Sequence, residues 1–145
     1  MSGGANTDAS VSSASAVPGD IVREAGTRTP EVSFRFSAGE LSLAGESYPE
    51  DVTKFYRPLI DALDAFVAAR PERVTLDLAL VYFNSSSAKA LTMIMERVDR
   101  VAAQGARAHV HWFYDPEDET MQELGEEFGE DLEHASFELS EHPAS

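Results

Sequence analysis

Asn84, Ser85, Ser86 and Ser87 stand between the apolar run RVTLDLALVYF (73–83) and the start of an apolar pattern with helical spacing. Four small polar side chains there can do two kinds of work. They can cap a helix, because Asn and Ser accept hydrogen bonds from the amides that open its first turn. They can also present a hydroxyl for phosphorylation. A hydroxyl at the C-terminal end of a parallel strand, just ahead of a helix, lies where α/β folds place their sites. Backbone amides and the helix dipole stabilise a phosphate at that point. Lys89, one turn further on, reaches the same side. A cap needs one residue and the sequence supplies four, so capping alone leaves part of the motif unexplained.

Other residues that could carry chemistry are weaker. A serine-hydrolase reading lacks a G-x-S-x-G elbow and would have to draw its base from four histidines. His109 and His111 share one face of a strand, and H-x-H can bind metal. With no cysteine in the chain and no third histidine nearby, they read as ordinary strand residues, and no metal site is expected. His134 and His142 lie in polar C-terminal surroundings. The acidic run from Asp115 to Asp131 lacks the D-x-D-x-D-G spacing of an EF-hand and reads as the outer face of an amphipathic helix. No catalytic residue and no cofactor is expected.

Composition narrows the partners. A formal charge of −15 over 145 residues repels nucleic-acid phosphates and anionic membranes. The absence of cysteine excludes disulfides and thiol catalysis. No apolar stretch approaches the roughly 18 residues of a membrane span. The start MSGGANTDAS has neither the basic nor the apolar region of a secretory signal. A soluble, cytoplasmic protein of one domain is the expectation.

The elements that must position the serines follow from periodicity. Residues 1–30 are rich in Ser, Ala, Gly and Thr, without aromatics or period, and are expected to form a disordered tail. VSFRF (32–36) and ELSLAG (40–45) alternate around Ala38-Gly39 as a hairpin. Ser47, Tyr48, Pro49 and Glu50 resemble a capping box, with Ser47 as the cap. The helix behind it carries a broad apolar stripe from Val52 to Val67, and Pro58 predicts a kink or restart. Residues 73–83 form a strand apolar on both faces toward its end, as in a buried central strand. The helix after Asn84 ends at Gly105 as its C′ residue. ARAHVHWFY (106–114) is a strand, 115–128 an acidic helix, and ASFEL (135–139) a last strand. The order ββαβαβαβ implies an α/β domain over 31–142, with a mixed, mostly parallel sheet covered by helices.

Three of these segments coincide with one family pattern. G-E-S-Y-P-E (45–50), Y-F-N-S-S-S-A-K (82–89) and W-F-Y-D-P-E-D-E-T-M-Q-E-L-G-E-E-F (112–128) resemble the SiaC-like regulatory phosphoproteins of bacteria, in order and at fitting distances from about Glu31 to Glu141. The resemblance implies a STAS-like fold, similar to anti-sigma-factor antagonists. It implies phosphorylation directly after the asparagine of Y-[FL]-N-[ST]-S-S, here at Ser85, by a kinase similar to anti-sigma-factor kinases. It further implies reversal by a metal-dependent Ser/Thr phosphatase, and a diguanylate cyclase as the effector that the unphosphorylated form binds and activates. Position 85 is Ser where family members often have Thr, and the segment before Glu31 is longer than usual.

The expectation is therefore a non-enzymatic partner switch in cyclic di-GMP and biofilm signalling. Ser85 accepts the phosphate, Asn84, Ser86 and Ser87 shape the loop, and Lys89 is placed to offset the added charge. Ser47, Tyr48, Pro49 and Glu50 are expected on the neighbouring partner-binding surface. The rival readings are a constitutive STAS-like interaction module in which Ser85 is only a helix cap, and a small serine- or metal-dependent enzyme.

Overall fold

The computed structural model describes residues 16–142. Within them, strands β1 (Ile21–Arg23), β2 (Glu31–Arg35) and β3 (Glu40–Ser47) are followed by α1 (Val52–Ala68), β4 (Arg73–Phe83), α2 (Ser85–Ala103), β5 (Arg107–Tyr114), α3 (Glu119–Glu130) and β6 (Ser136–Glu141). The six strands form one sheet in chain order. The pairs β1–β2 and β2–β3 are antiparallel, and the other three are parallel. This is the mixed, mostly parallel α/β sheet that the alternation of strands and helices implies. No described helix is long and apolar enough to cross a membrane.

Because each parallel strand is added on the same side of its predecessor, right-handed crossovers bring all three helices to one face. The register agrees. Leu41 lies opposite Leu76, Leu76 opposite Val110, and Val110 opposite Phe137. These alternate residues form one core with Leu59 and Leu63 of α1, Leu91 and Ile94 of α2, and Met121 of α3. Helices thus cover one face of the sheet, not both. The uncovered face carries the other set, including Ser42, Asp77, His109, His111 and Glu138, each only partly buried or exposed.

Several local expectations are corrected. β1 lies inside the segment expected to be disordered. Its three residues pair with β2, and Asp20 just before it accepts hydrogen bonds from the Ser37 amide (3.1 Å) and hydroxyl. A strand that short has no readable alternation, and its stability comes from the neighbouring edge. Residues 1–15 of the expected tail lie outside the described residues. The end of β4 is not buried either: Val81 and Tyr82 are 56% and 50% exposed. Pairing with β5 stops at Leu78, so the last residues of β4 keep only β3 as a neighbour. Helix α1 runs as one element through Pro58.

The capping box is also reassigned. Asp51 caps α1 by accepting the Lys54 amide at 3.0 Å, while Ser47 is the last residue of β3. Gly105 behaves as the sequence implies, with φ near 100° just past the end of α2. The acidic helix starts later than residue 115. Asp115 to Asp118 form a turn closed by an Asp118 amide to Asp115 carbonyl bond, and Asp118 then caps α3.

Candidate functional site

The strand-to-helix junction after β4 divides the four polar residues by role. Asn84 is the N-cap: its backbone is extended, and its side-chain oxygen accepts the Ser87 amide at 2.9 Å. Its carbonyl takes the Ala88 amide, and its own amide donates to the Ser47 carbonyl at 3.2 Å, so the cap is tied to the end of β3. Ser85 is the first residue of the helix and Ser86 the second, and both are exposed. Ser85 therefore does not cap the helix, and its hydroxyl is left to solvent. At a helix start the first amides lack intrahelical acceptors. With the Ser87 amide taken by Asn84, those of Ser85 and Ser86 remain directed at the solvent side.

Ser87 faces the other way and is fully buried. Its hydroxyl lies 2.8 Å from that of Ser47, which lies 2.6 Å from the Tyr56 hydroxyl. Burial pushes the Tyr56 phenol above its ordinary value, and hydrogen bonding to Ser47 and Ser87 offsets only part of that. The phenol thus stays protonated and usable as a donor. This internal chain of hydroxyls joins β3, α1 and α2 directly beneath Ser85. Ser47 is consequently inside the protein and does not line a partner-facing surface, contrary to expectation, and Ser87, expected to shape the loop, is equally buried. A buried serine and an exposed one read alike in sequence. Tyr56 went unnoticed because its ring fits the apolar stripe of α1; only its hydroxyl betrays a second role.

Of the remaining expected residues, Tyr48 and Pro49 are half-buried and Glu50 is exposed. The Tyr48 amide donates to the Arg28 carbonyl at 2.8 Å, and Arg28 pairs with Glu50 at 3.3 Å. The Tyr48 ring meets Tyr82 edge-on at 5.7 Å between centroids. Tyr48 and Tyr82 thus form an aromatic shelf at the end of β4, three residues ahead of Ser85 in the chain, and the exposed Tyr82 joins the site as a residue not foreseen. Lys89 is exposed, forms no ion pair among the described residues, and lines a groove between α1 and α2 with Ser86, Thr53, Ile60 and Met93. On the other side of β4, the splaying of its end from β5 opens a cleft floored by Leu80, Val81, Phe113 and Tyr114 and rimmed by Asp115 and Glu117.

A hydroxyl exposed on a capped helix start, above a sealed polar network and just after a strand that ends in an aromatic shelf, is a modifiable surface element on a rigid scaffold. Residues 23–142 match the family model described as SiaC family regulatory phosphoprotein. The chain belongs to the SiaC family. Its sequence is 37% identical over 103 residues to an uncharacterised protein of Pseudomonas aeruginosa (strain UCBPP-PA14), covering 71% of this chain and 82% of that one. Among solved structures, apo-SiaC from Pseudomonas aeruginosa is similar, with a TM-score of 0.75 and 32% identity over 83% of this chain and 98% of that one. SiaC from the same organism, in complex with the diguanylate cyclase SiaD that it activates, gives a TM-score of 0.79 and 33% identity over 85% and 100% of the two chains. The SiaC fold therefore accounts for the whole patterned part of the sequence, and the STAS-like expectation is compatible with it.

Proposed function

We propose that this SiaC family protein is a partner switch: Ser85 is phosphorylated by a cognate Ser/Thr kinase, restored by a metal-dependent phosphatase, and its unphosphorylated form binds and activates a diguanylate cyclase. The observation that carries this reading is the division of labour at the junction. Asn84 already caps α2, Ser87 is sealed beneath it, and Ser85 stands exposed directly after the asparagine, where the family resemblance implies the phosphate. The similarity to a SiaC captured with a cyclase supports the effector class.

The phosphate acts locally. It adds about −1.5 to −2 charges near neutral pH, small beside a net charge of −15. Charges beyond about 8 Å are screened at physiological ionic strength. The domain tolerates the dianion because amides at the helix start and Lys89 face it. An effector seated over Ser85 and the Tyr48–Tyr82 shelf would have to desolvate it. A loss of about 3 kcal/mol weakens binding roughly a hundredfold.

A catalytic role for the protein itself is disfavoured by the same geometry. His109 and His111, the histidines an enzyme reading would use, belong to the uncovered sheet face, away from Ser85. The test is peptide mapping after incubation with the cognate kinase, followed by calorimetric titration of both forms into the candidate cyclase. One phosphate on Ser85, retained binding in Ser85→Ala and strongly weakened binding of the phosphorylated form are expected. Full labelling of Ser85→Ala, or equal affinities of the two forms, would refute the switch.

A further inference from the structure

We propose that His109, His111 and Glu138 form a binding site for one zinc-class divalent ion on the face of the sheet that the helices leave open. Alternation along β5 puts the two imidazoles on that face. The parallel register then sets Glu138 of β6 opposite His111. Its carboxylate reaches both rings, with one oxygen 3.5 Å from His109 Nε2 and the other 4.0 Å from His111 Nε2. All three donor atoms lie within 4.8 Å of one another, the single such grouping of His, Asp and Glu among the described residues. H-x-H alone carries two ligands. The third is brought by a strand 29 residues further along the chain than His109, a neighbour that sequence spacing cannot disclose.

The dimensions suit the ion. Bonds of about 2.0–2.2 Å to nitrogen and oxygen place tetrahedral donors roughly 3.3–3.6 Å apart. The carboxylate oxygens stand 3.5 and 4.0 Å from the two imidazole nitrogens, close to that spacing. The His111 ring is already held in plane by stacking on Phe113, with centroids 4.2 Å apart. Its Nε2 now shares a 2.7 Å hydrogen bond with the Ser140 hydroxyl, which the ion would displace. Asp77 lies opposite His111 on β4, and one of its carboxylate oxygens is buried with no hydrogen-bond partner. A ligating histidine requires an acceptor for its other ring N–H, and this orphan oxygen is on the adjacent strand. Glu138 is about half exposed, so the ion has a way in and an open position for water. Two imidazoles and one carboxylate select zinc, cobalt or nickel over magnesium or calcium.

The test uses untagged full-length protein stripped with a chelator, titrated with Zn²⁺ by calorimetry and with Co²⁺ by visible absorption. One equivalent of Zn²⁺, an intense low-coordinate Co²⁺ spectrum that Zn²⁺ abolishes, and no competition from excess Mg²⁺ are expected. Outer-shell partners typically change metal affinity about 10–100-fold. His111→Ala and Glu138→Gln, which remove ligands, should cost more than about 100-fold, and Asp77→Asn about tenfold. If His111→Ala lowers the metal-free melting temperature, the near-isosteric Glu138→Gln carries the comparison. Failure of the wild type to take up Zn²⁺, or unchanged affinity in Glu138→Gln, overturns the proposal.

Discussion

The Ser47 hydroxyl at the end of β3 lies 2.8 Å from the Ser87 hydroxyl in the first turn of α2, and neither residue has any exposed surface. With the Tyr56 hydroxyl 2.6 Å from Ser47, three buried polar groups satisfy one another below the exposed Ser85. Such a network is stabilising only while every member is paired.

Tyr56→Phe removes one partner and leaves the serine pair intact. It should cost about 1 kcal/mol, whereas Ser47→Ala, which removes the central hydroxyl, should cost about 1–3 kcal/mol. Urea midpoints check both. The phenol also predicts an alkaline effect. Its folded-state pKa is raised, so its contribution is full below the ordinary value of 10.0 and is lost as pH rises through the folded-state value. Wild type should therefore lose stability above about pH 10 more steeply than Tyr56→Phe. Parallel curves would exclude Tyr56 as the source.

Gly125 governs how closely α3 approaches the sheet. A Cβ there would stand 2.6 Å from Trp112 Cδ1 and 2.7 Å from Leu139 Cδ2, inside any real contact distance. The Trp112 indole N–H also donates to the Met121 carbonyl at 3.2 Å, so the ring cannot step aside without breaking that bond. Gly125→Ala should raise helix propensity yet destabilise by about 1–3 kcal/mol through overpacking. The chain's one tryptophan is the reporter, and its fluorescence should shift. A stabilised variant with unchanged emission would contradict the close approach.

Asp99 of α2 holds the connection between α3 and β6. Burial works against its ionisation, but amides of Ala135, His134 and Glu133 outweigh it and keep the carboxyl below its ordinary range. The bonds to Ala135 and His134 are both 2.8 Å. The pKa is depressed in the fold, so the stabilisation is present above the ordinary value of 3.8 and is lost as pH falls through the folded-state value. Asp99→Asn should flatten the acid limb of the stability profile and cost about 1 kcal/mol at neutral pH, discounted for solvent exposure. Unfolding curves between neutral and acid pH measure both effects.

Strand β1 predicts where truncation begins to matter. Removal of residues 1–15 leaves every described contact in place. Removal through Arg23 strips the β2 edge of its partner and takes away the Asp20 bonds to Ser37. The longer deletion should lower the melting temperature by several degrees, about 1 kcal/mol for a domain of this size, and the shorter one should not. Equal melting temperatures would make β1 dispensable.

The sequence by itself determined the elements whose signals are local. Period-2 alternation marked β2 and β3, the β-prone, largely apolar segment 73–83 marked β4 to the residue, and Gly105 marked the end of α2. The serine cluster and its family motif were equally plain, because their spacing is short. What depended on distant partners was decided only by the tertiary structure. Asn84 rather than Ser85 caps α2, Asp51 rather than Ser47 caps α1, and Ser47, Ser87 and Tyr56 meet inside although Ser47 and Ser87 stand 40 positions apart. The open face of the sheet follows from strand order, which periodicity does not encode, and with it the meeting of His109, His111 and Glu138. Local pattern records which way a side chain points; only chain topology brings it its neighbours.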